Sequence, residues 1–446
     1  IAFGAHTNAY TSFDETVYML DLPNLEKDTL KLGFEVMRDF GDGALLATKE
    51  IDKERGVILS EKRSRDSVEM RLMEQQFEFL LPDSLITHRF PIGTEKVIKE
   101  AKRDRFTSFY EDYYVPTNMT FIVVGDIDPD VYEKRILKTF ASMKNPTEQG
   151  GDPEMGTIPD GFGFQAAIFS DKEVKSDDLA LGFVQKYEAT PDRAATRVTR
   201  MPLRVANSII GRRFDILAKK EGSPIASGSA GRFEWFNAIE FGSIDVTAVE
   251  GKWRDAVPVM EQELRRALEY GFTQSELDEM KAHILNRAEQ AVKRADTRQS
   301  ASLAMGLVKS IGSNRVFTDP GESLRITKMA LKALTLEKCH QALQSFWKNR
   351  DLTITLTSKA APEDGTKVLA ALYEKSQAAK VTIVNDKAPT VVARVFPKKA
   401  GTDGELGQAI FAAAAQHNWK INEIKKEEGR LDDVFRNITL SDTKTQ

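Results

Sequence analysis

The sequence predicts an α+β protein made of two homologous domains, each a mostly antiparallel sheet with helices packed on one face, followed by a short unlike C-terminal tail. Three observations predict it. The chain repeats itself at an offset of 226 residues: Glu50-Ile51-Asp52-Lys53 lies opposite Glu276-Leu277-Asp278-Glu279, and Ile58-Leu59 opposite Ile284-Leu285. Each copy runs strands and helices without the strict alternation of a parallel α/β fold. The composition, 41% hydrophobic and 29% charged over 446 residues, is that of a globular chain with material for roughly two to four domains.

In copy one, Thr16 to Leu22 alternates with period two and reads as a strand. Leu25 to Phe40 carries Leu30, Phe34 and Met37 at spacings of three and four, a helix with one apolar face. A longer helix follows from Lys49 to Leu80, with a break near Asp66, and Met119 to Val124 closes the copy as a strand. In copy two the counterparts are a strand at Phe241 to Val246, a helix at Trp253 to Tyr270, a helix from Gln274 to about Ile311 and a closing strand at Leu352 to Thr357. Copy two also opens with a strand at Leu179 to Val184 and a helix from Ala194 to Lys220. At the repeat offset that opening has no counterpart, so a segment of roughly 65 residues is expected ahead of Ile1. The domains are expected at 1–145, 146–375 and 376–446, the last a linker and small segment that resembles neither repeat. Lys387-Ala388-Pro389 and Lys398 to Gly407 read as linker. In the tail Gly404 to Asn418 reads as helix, Lys420 to Ile424 as strand and Leu431 to Asn437 as helix.

Composition excludes several function classes. Lys plus Arg total 63 against 67 acids, a net charge of -4, so no basic excess exists to pair with nucleic-acid phosphates. The longest apolar run, Ala409 to Ala415, is far short of the ~20 residues of a membrane span. The single cysteine, Cys339, rules out an intramolecular disulfide and reads as a buried small hydrophobe. The five histidines include no pair at helical zinc spacing, and His6 beside Asn8 reads as a surface residue. P-loop, G-x-S-x-G and G-x-G-x-x-G signatures are absent.

Glu54 and Glu61 are seven residues apart on a predicted helix. Seven residues turn about 700°, so both carboxylates share one face about 10 Å apart. By pattern alone they are solvated acids on an exposed helix as readily as a paired acid site. At the repeat offset Glu54 becomes Met280 and Glu61 becomes Arg287, so copy two keeps the scaffold without the acids. That suits one active and one supporting copy, and it suits surface drift equally.

Longer stretches carry a family likeness. Gly4 to Tyr18 (GAHTNAYTSFDETVY) resembles a segment of the insulinase/pitrilysin family of zinc metallopeptidases, and Glu54 to Glu61 (ERGVILSE) resembles their distal glutamate motif. Pro91-Ile92-Gly93-Thr94, Phe109-Tyr110, Tyr113 to Thr120 and Val123-Val124-Gly125-Asp126 match in the same order. The resemblance covers about 1–375 and is strongest to the long bacterial members. Gly429 to Thr439 resembles instead, at a few positions, the C-terminal end of transporter ATP-binding subunits.

The resemblance implies a zinc metalloendopeptidase in which two histidines and a glutamate hold zinc and a motif glutamate acts as general base. Only part of that site carries over: Glu61 as metal ligand, and Glu54 as an acid orienting a ligand or water. The H-x-x-E-H motif does not occur in these residues; its expected place is opposite Ile210-Gly211-Arg212 of copy two, so the zinc site is incomplete here and the chain alone is expected to be inactive. The resemblance also implies that Asn8, Ala9, Tyr10 and Thr11 form a strand edge that binds peptide or small unfolded protein by strand addition. A second peptidase-like half or subunit is implied as partner, with the bacterial periplasm favoured over the cytoplasm. The rival expectation is a non-catalytic peptide-binding or assembly subunit of the same fold.

Overall fold

A computed structural model describes residues 4–145, 154–159, 163–378, 381–385, 390–395, 420–426 and 434–439. The chain forms two compact units, Ile1–Pro159 with Arg294–Phe317, and Asp160–Lys293 with Thr318–Gln446.

The first unit starts with a hairpin, β1 (His6–Thr11) and β2 (Thr16–Asp21), paired antiparallel from His6↔Asp21 to Thr11↔Thr16. Among the described residues six α-helices follow: α1 (Lys27–Asp42), α2 (Thr48–Ser64), α3 (Val68–Leu80), α4 (Glu95–Glu100), α5 (Arg103–Tyr113) and α6 (Pro129–Phe140). The break near Asp66 is present between α2 and α3, where the Ser67 hydroxyl accepts from the Met70 N–H as a helix cap. α1 buries Leu30 and Phe34, and the Phe34 ring packs 5.5 Å from Phe121, which lies 4.7 Å from Phe140 of α6. Met119 to Val124 supplies Phe121 but forms no ladder, contrary to the strand expected there. Its counterpart in the second unit is held between two strands, and at the repeat offset neither of those has an equivalent in the first. The residues favour a strand, yet a strand without neighbours leaves its backbone groups to water.

The second unit holds the main core. Its five-stranded sheet has the order β3-β7-β4-β6-β5, built from β3 (Gln165–Ser170), β4 (Asp177–Lys186), β5 (Ile225–Trp235), β6 (Ile239–Ala248) and β7 (Thr353–Ser358). All pairings are antiparallel except β3 with β7. Alternation along β4 and β6 sends Leu179, Leu181, Phe183, Ile244 and Val246 into the core. Against them pack α7 (Ala194–Ala218), α8 (Trp253–Tyr270) and the start of α9 (Gln274–Lys293). α10 (Ser300–Gly312) returns to the first unit; α11 (Pro320–Ala333), α12 (Leu336–Trp347) and α13 (Gly365–Ala378) complete the second. Cys339 on α12 is fully buried, as expected, and burial pushes its thiol up to about 11.

The repeat is visible in three dimensions. Shifting by 226 residues carries the first residue of α1, Lys27, onto the first residue of α8, Trp253, and likewise Thr48 of α2 onto Gln274 of α9. The helix expected from Gln274 to Ile311 is broken after Lys293. There the Thr297 hydroxyl bonds back to the Arg294 carbonyl at 3.0 Å, local bonding that competes with helix propagation.

The tail forms a separate four-stranded antiparallel sheet of order β10-β11-β9-β8, from β8 (Val381–Asn385), β9 (Thr390–Val395), β10 (Lys420–Lys426) and β11 (Val434–Thr439). The helix expected over Leu431 to Asn437 is corrected, since Val434–Thr439 is a strand rich in β-branched residues. The expected helix at Gly404 to Asn418 and both expected linkers lie outside the described residues, the first linker fully and the second over its whole length.

Close packing at Gly242 gives one direct expectation. A Cβ there would overlap the Phe183 ring and sit 2.8 Å from Phe346 Cε1. Gly242→Ala should cost about 1–3 kcal/mol by overpacking, read as a lower urea midpoint with unchanged slope.

Candidate active site

α2 carries the two acids, and what orients it is polar. None of its residues is buried. Instead Arg55 donates to the carbonyls of Ile98 (2.5 Å) and Ala101 (2.6 Å), and Lys62 donates to the Gly93 carbonyl at 3.0 Å. Arg55 also lies 5.9 Å from the Phe106 ring centroid. Arg55 and Lys62 are seven residues apart, so they fasten one face of the helix to the segment around α4. Glu54 and Glu61 precede them by one residue each, about 100° around the helix, and stay off the fastened face. Glu54 is exposed. Glu61 is 42% exposed and makes an ion pair with Arg65 at 2.5 Å, one turn further along. The Glu61–Arg65 spacing was visible in the sequence, and its meaning as an i,i+4 pair was missed.

The hairpin carries the other expected residues. Among the described residues β1 has only β2 beside it, so the peptide groups of Asn8 to Thr11 face a second, open side. Asn8, Ala9 and Thr11 are exposed, and Tyr10 is half-buried. The Tyr10 hydroxyl donates to Glu15 Oε1 at 2.8 Å; burial and this carboxylate push the phenol up to about 12. Asp14 beside it is raised by burial and by the Glu15 charge. His6 is exposed, 3.8 Å from Asp21.

The landmark residues Tyr110 and Tyr114 tie elements of the first unit together. The Tyr18 and Tyr114 hydroxyls are 2.8 Å apart, Tyr18 stacks on Phe40 at 4.5 Å, and Tyr110 donates to the Phe40 carbonyl at 2.9 Å. These contacts hold the strand carrying Tyr18 to α1 and α5.

The donors for a metal do not assemble. Among the described residues no group of three His, Cys, Asp or Glu side chains could hold a metal ion. Zinc sites need three protein ligands or more; Glu61 is one carboxylate, already engaged by a guanidinium. These residues alone therefore do not fit a zinc ion. No helix among the described residues is long and apolar enough to cross a membrane.

Comparison with known proteins bears on both regions. The family profile described as Insulinase (Peptidase family M16) matches residues 2–87, and the one described as Peptidase M16 inactive domain matches 100–284. The probable zinc protease PqqL of Escherichia coli (strain K12) is 27% identical over 353 residues, 79% of this chain and 38% of that protein. The chloroplastic stromal processing peptidase of Arabidopsis thaliana is 24% identical over 401 residues, 75% of this chain and 31% of that protein. The crystal structure of the first half of the periplasmic protease PqqL from Escherichia coli superimposes with a TM-score of 0.76 at 25% identity, covering 84% of this chain and 80% of that one. The chain spans about two fifths of the length of the PqqL proteins it matches (38% and 39%).

Proposed function

Because the chain belongs to the insulinase family of peptidases, family M16, we propose that it is part of a zinc metalloendopeptidase acting on peptides or small unfolded proteins. In this reading Glu61 is the zinc ligand of α2, and Glu54 orients a ligand or water. The histidine donors and the general base come from residues outside these 446. The open edge of β1 at Asn8 to Thr11 takes the substrate as an added strand, where main-chain hydrogen bonds give affinity with little sequence preference. The second unit is the non-catalytic counterpart, and a further peptidase-like half completes the enclosure. The periplasm is the proposed compartment, following the description of the PqqL protease.

The observation that carries this reading is the fastening of α2. Arg55 and Lys62 fix the helix by one face, so that two carboxylates stand clear of it at a spacing of two turns. A quenched-fluorescence peptide assay on the natural polypeptide containing these residues tests it. Cleavage that a chelator stops and zinc restores is expected there, and none from the 446-residue chain alone. Cleavage indifferent to chelation would sink the proposal.

A second reading, a non-catalytic peptide-binding or assembly subunit, is favoured by the engagement of Glu61 with Arg65. It predicts peptide binding without turnover by the natural polypeptide.

A further inference from the structure

We infer that the second unit contains an arginine latch, in which Arg213 of α7 both clamps α9 and holds the cap of that helix closed. Arg213 and Glu276 are 1% and 5% exposed in their side chains. The guanidinium grips the carboxylate with two prongs, Nε to Oε1 at 2.6 Å and Nη2 to Oε2 at 3.0 Å, and Nη2 also donates to the Gly271 carbonyl at 3.0 Å. Its Cζ lies 5.2 Å from the Phe272 ring centroid. The same Glu276 carboxylate accepts from the Thr273 N–H (2.8 Å) and hydroxyl (3.0 Å), while the Thr273 hydroxyl accepts from the Glu276 N–H at 3.3 Å. Thr273-x-x-Glu276 is thus a reciprocal capping box at the start of α9. One carboxylate closes the N-terminus of α9 and anchors α7, so α9 cannot shift on α7 without losing its cap.

The neighbouring residue repeats the crossing at the surface: Arg212 donates to Glu279 Oε1 at 2.8 Å, with both side chains 37% exposed and His283 3.9 Å from the same oxygen. The turn feeding the box needs Gly271, whose φ of +70° disfavours a side chain. Burial alone would raise the Glu276 carboxyl; the donors from Arg213 and Thr273 outweigh it and hold the group below its ordinary range. At the repeat offset of 226 Glu276 corresponds to Glu50 in α2. The α7–α9 junction is ionic.

Hydrogen exchange with thermal unfolding tests the latch on the full chain. Arg213→Met leaves Glu276 buried without its clamp, and the melting transition of the second unit should fall by roughly 10 °C. Amides of the first turn of α9 should exchange at least tenfold faster than in the wild type, with α12 little changed. Glu276→Gln keeps a cap acceptor but weakens the clamp, and serves if Arg213→Met fails to fold; the same first-turn amides should lose protection. Arg212→Gln should leave them nearly unchanged. Wild-type protection of α9 in Arg213→Met or Glu276→Gln would overturn the latch.

Discussion

On the proposed reading, Glu61→Gln made in the natural polypeptide containing these residues is expected to lower kcat/KM for peptide cleavage by at least about 100-fold and to reduce bound zinc. The magnitude follows from the ligand's role. Loss of a group that merely orients a ligand typically costs 10–100-fold, which is the range expected for Glu54→Gln, and losing a ligand costs more. The same change should barely affect folding. Glu61 is nearly half exposed, and its partner Arg65 is one turn away on the same helix; such pairs contribute about 0–1 kcal/mol. The measurement is therefore a split: activity and zinc content fall together while the unfolding midpoint stays put. Full zinc content with near wild-type turnover in Glu61→Gln would remove Glu61 from the site.

The opposite split is expected at Phe214. Its side chain is fully buried on α7 in the main core. Phe214→Ala should cost about 3–5 kcal/mol in urea unfolding, through lost transfer energy and the space left behind. The cost depends on whether neighbours close the gap, and Gly228 offers a way to examine that. A Cβ on Gly228 would lie 2.7 Å from Phe214 Cγ and 2.9 Å from Phe214 Cβ, so Gly228→Ala clashes in the wild type and the part of the clash made by the ring is relieved in Phe214→Ala. The double variant should therefore be more stable than the sum of the single changes by about 1 kcal/mol or more. Strict additivity would mean that the two positions do not meet in the folded state.

The residues that read correctly in the sequence did so through periodicity. Trp253, Ala256, Val257, Met260, Leu264 and Ala267 recur at helical spacing, and α8 spans the expected Trp253 to Tyr270. β6 alternates cleanly, β4 is a short apolar run, and both were found, each a few residues longer than expected. β5 was missed because Ile225 to Gly231 is built from small residues with weak strand propensity. Of its glycines, Gly228 serves the neighbouring helix by leaving room for Phe214. The acids of the candidate site were legible as a spacing, but their orientation was not. It depends on Arg55 and Lys62 finding carbonyls at Ile98, Ala101 and Gly93, partners 31 to 46 residues away that no local pattern reveals.

Helix α10 belongs to the first unit although the chain on either side of it belongs to the second. During synthesis, then, the first unit stays unfinished when Pro159 leaves the ribosome and must await Phe317. At about 5–20 residues per second that delay is on the order of ten seconds, long enough for chaperones to engage a half-made domain. A gene divided at codon 160 would likewise encode an amino-terminal product deprived of a helix, however well its boundary had been chosen.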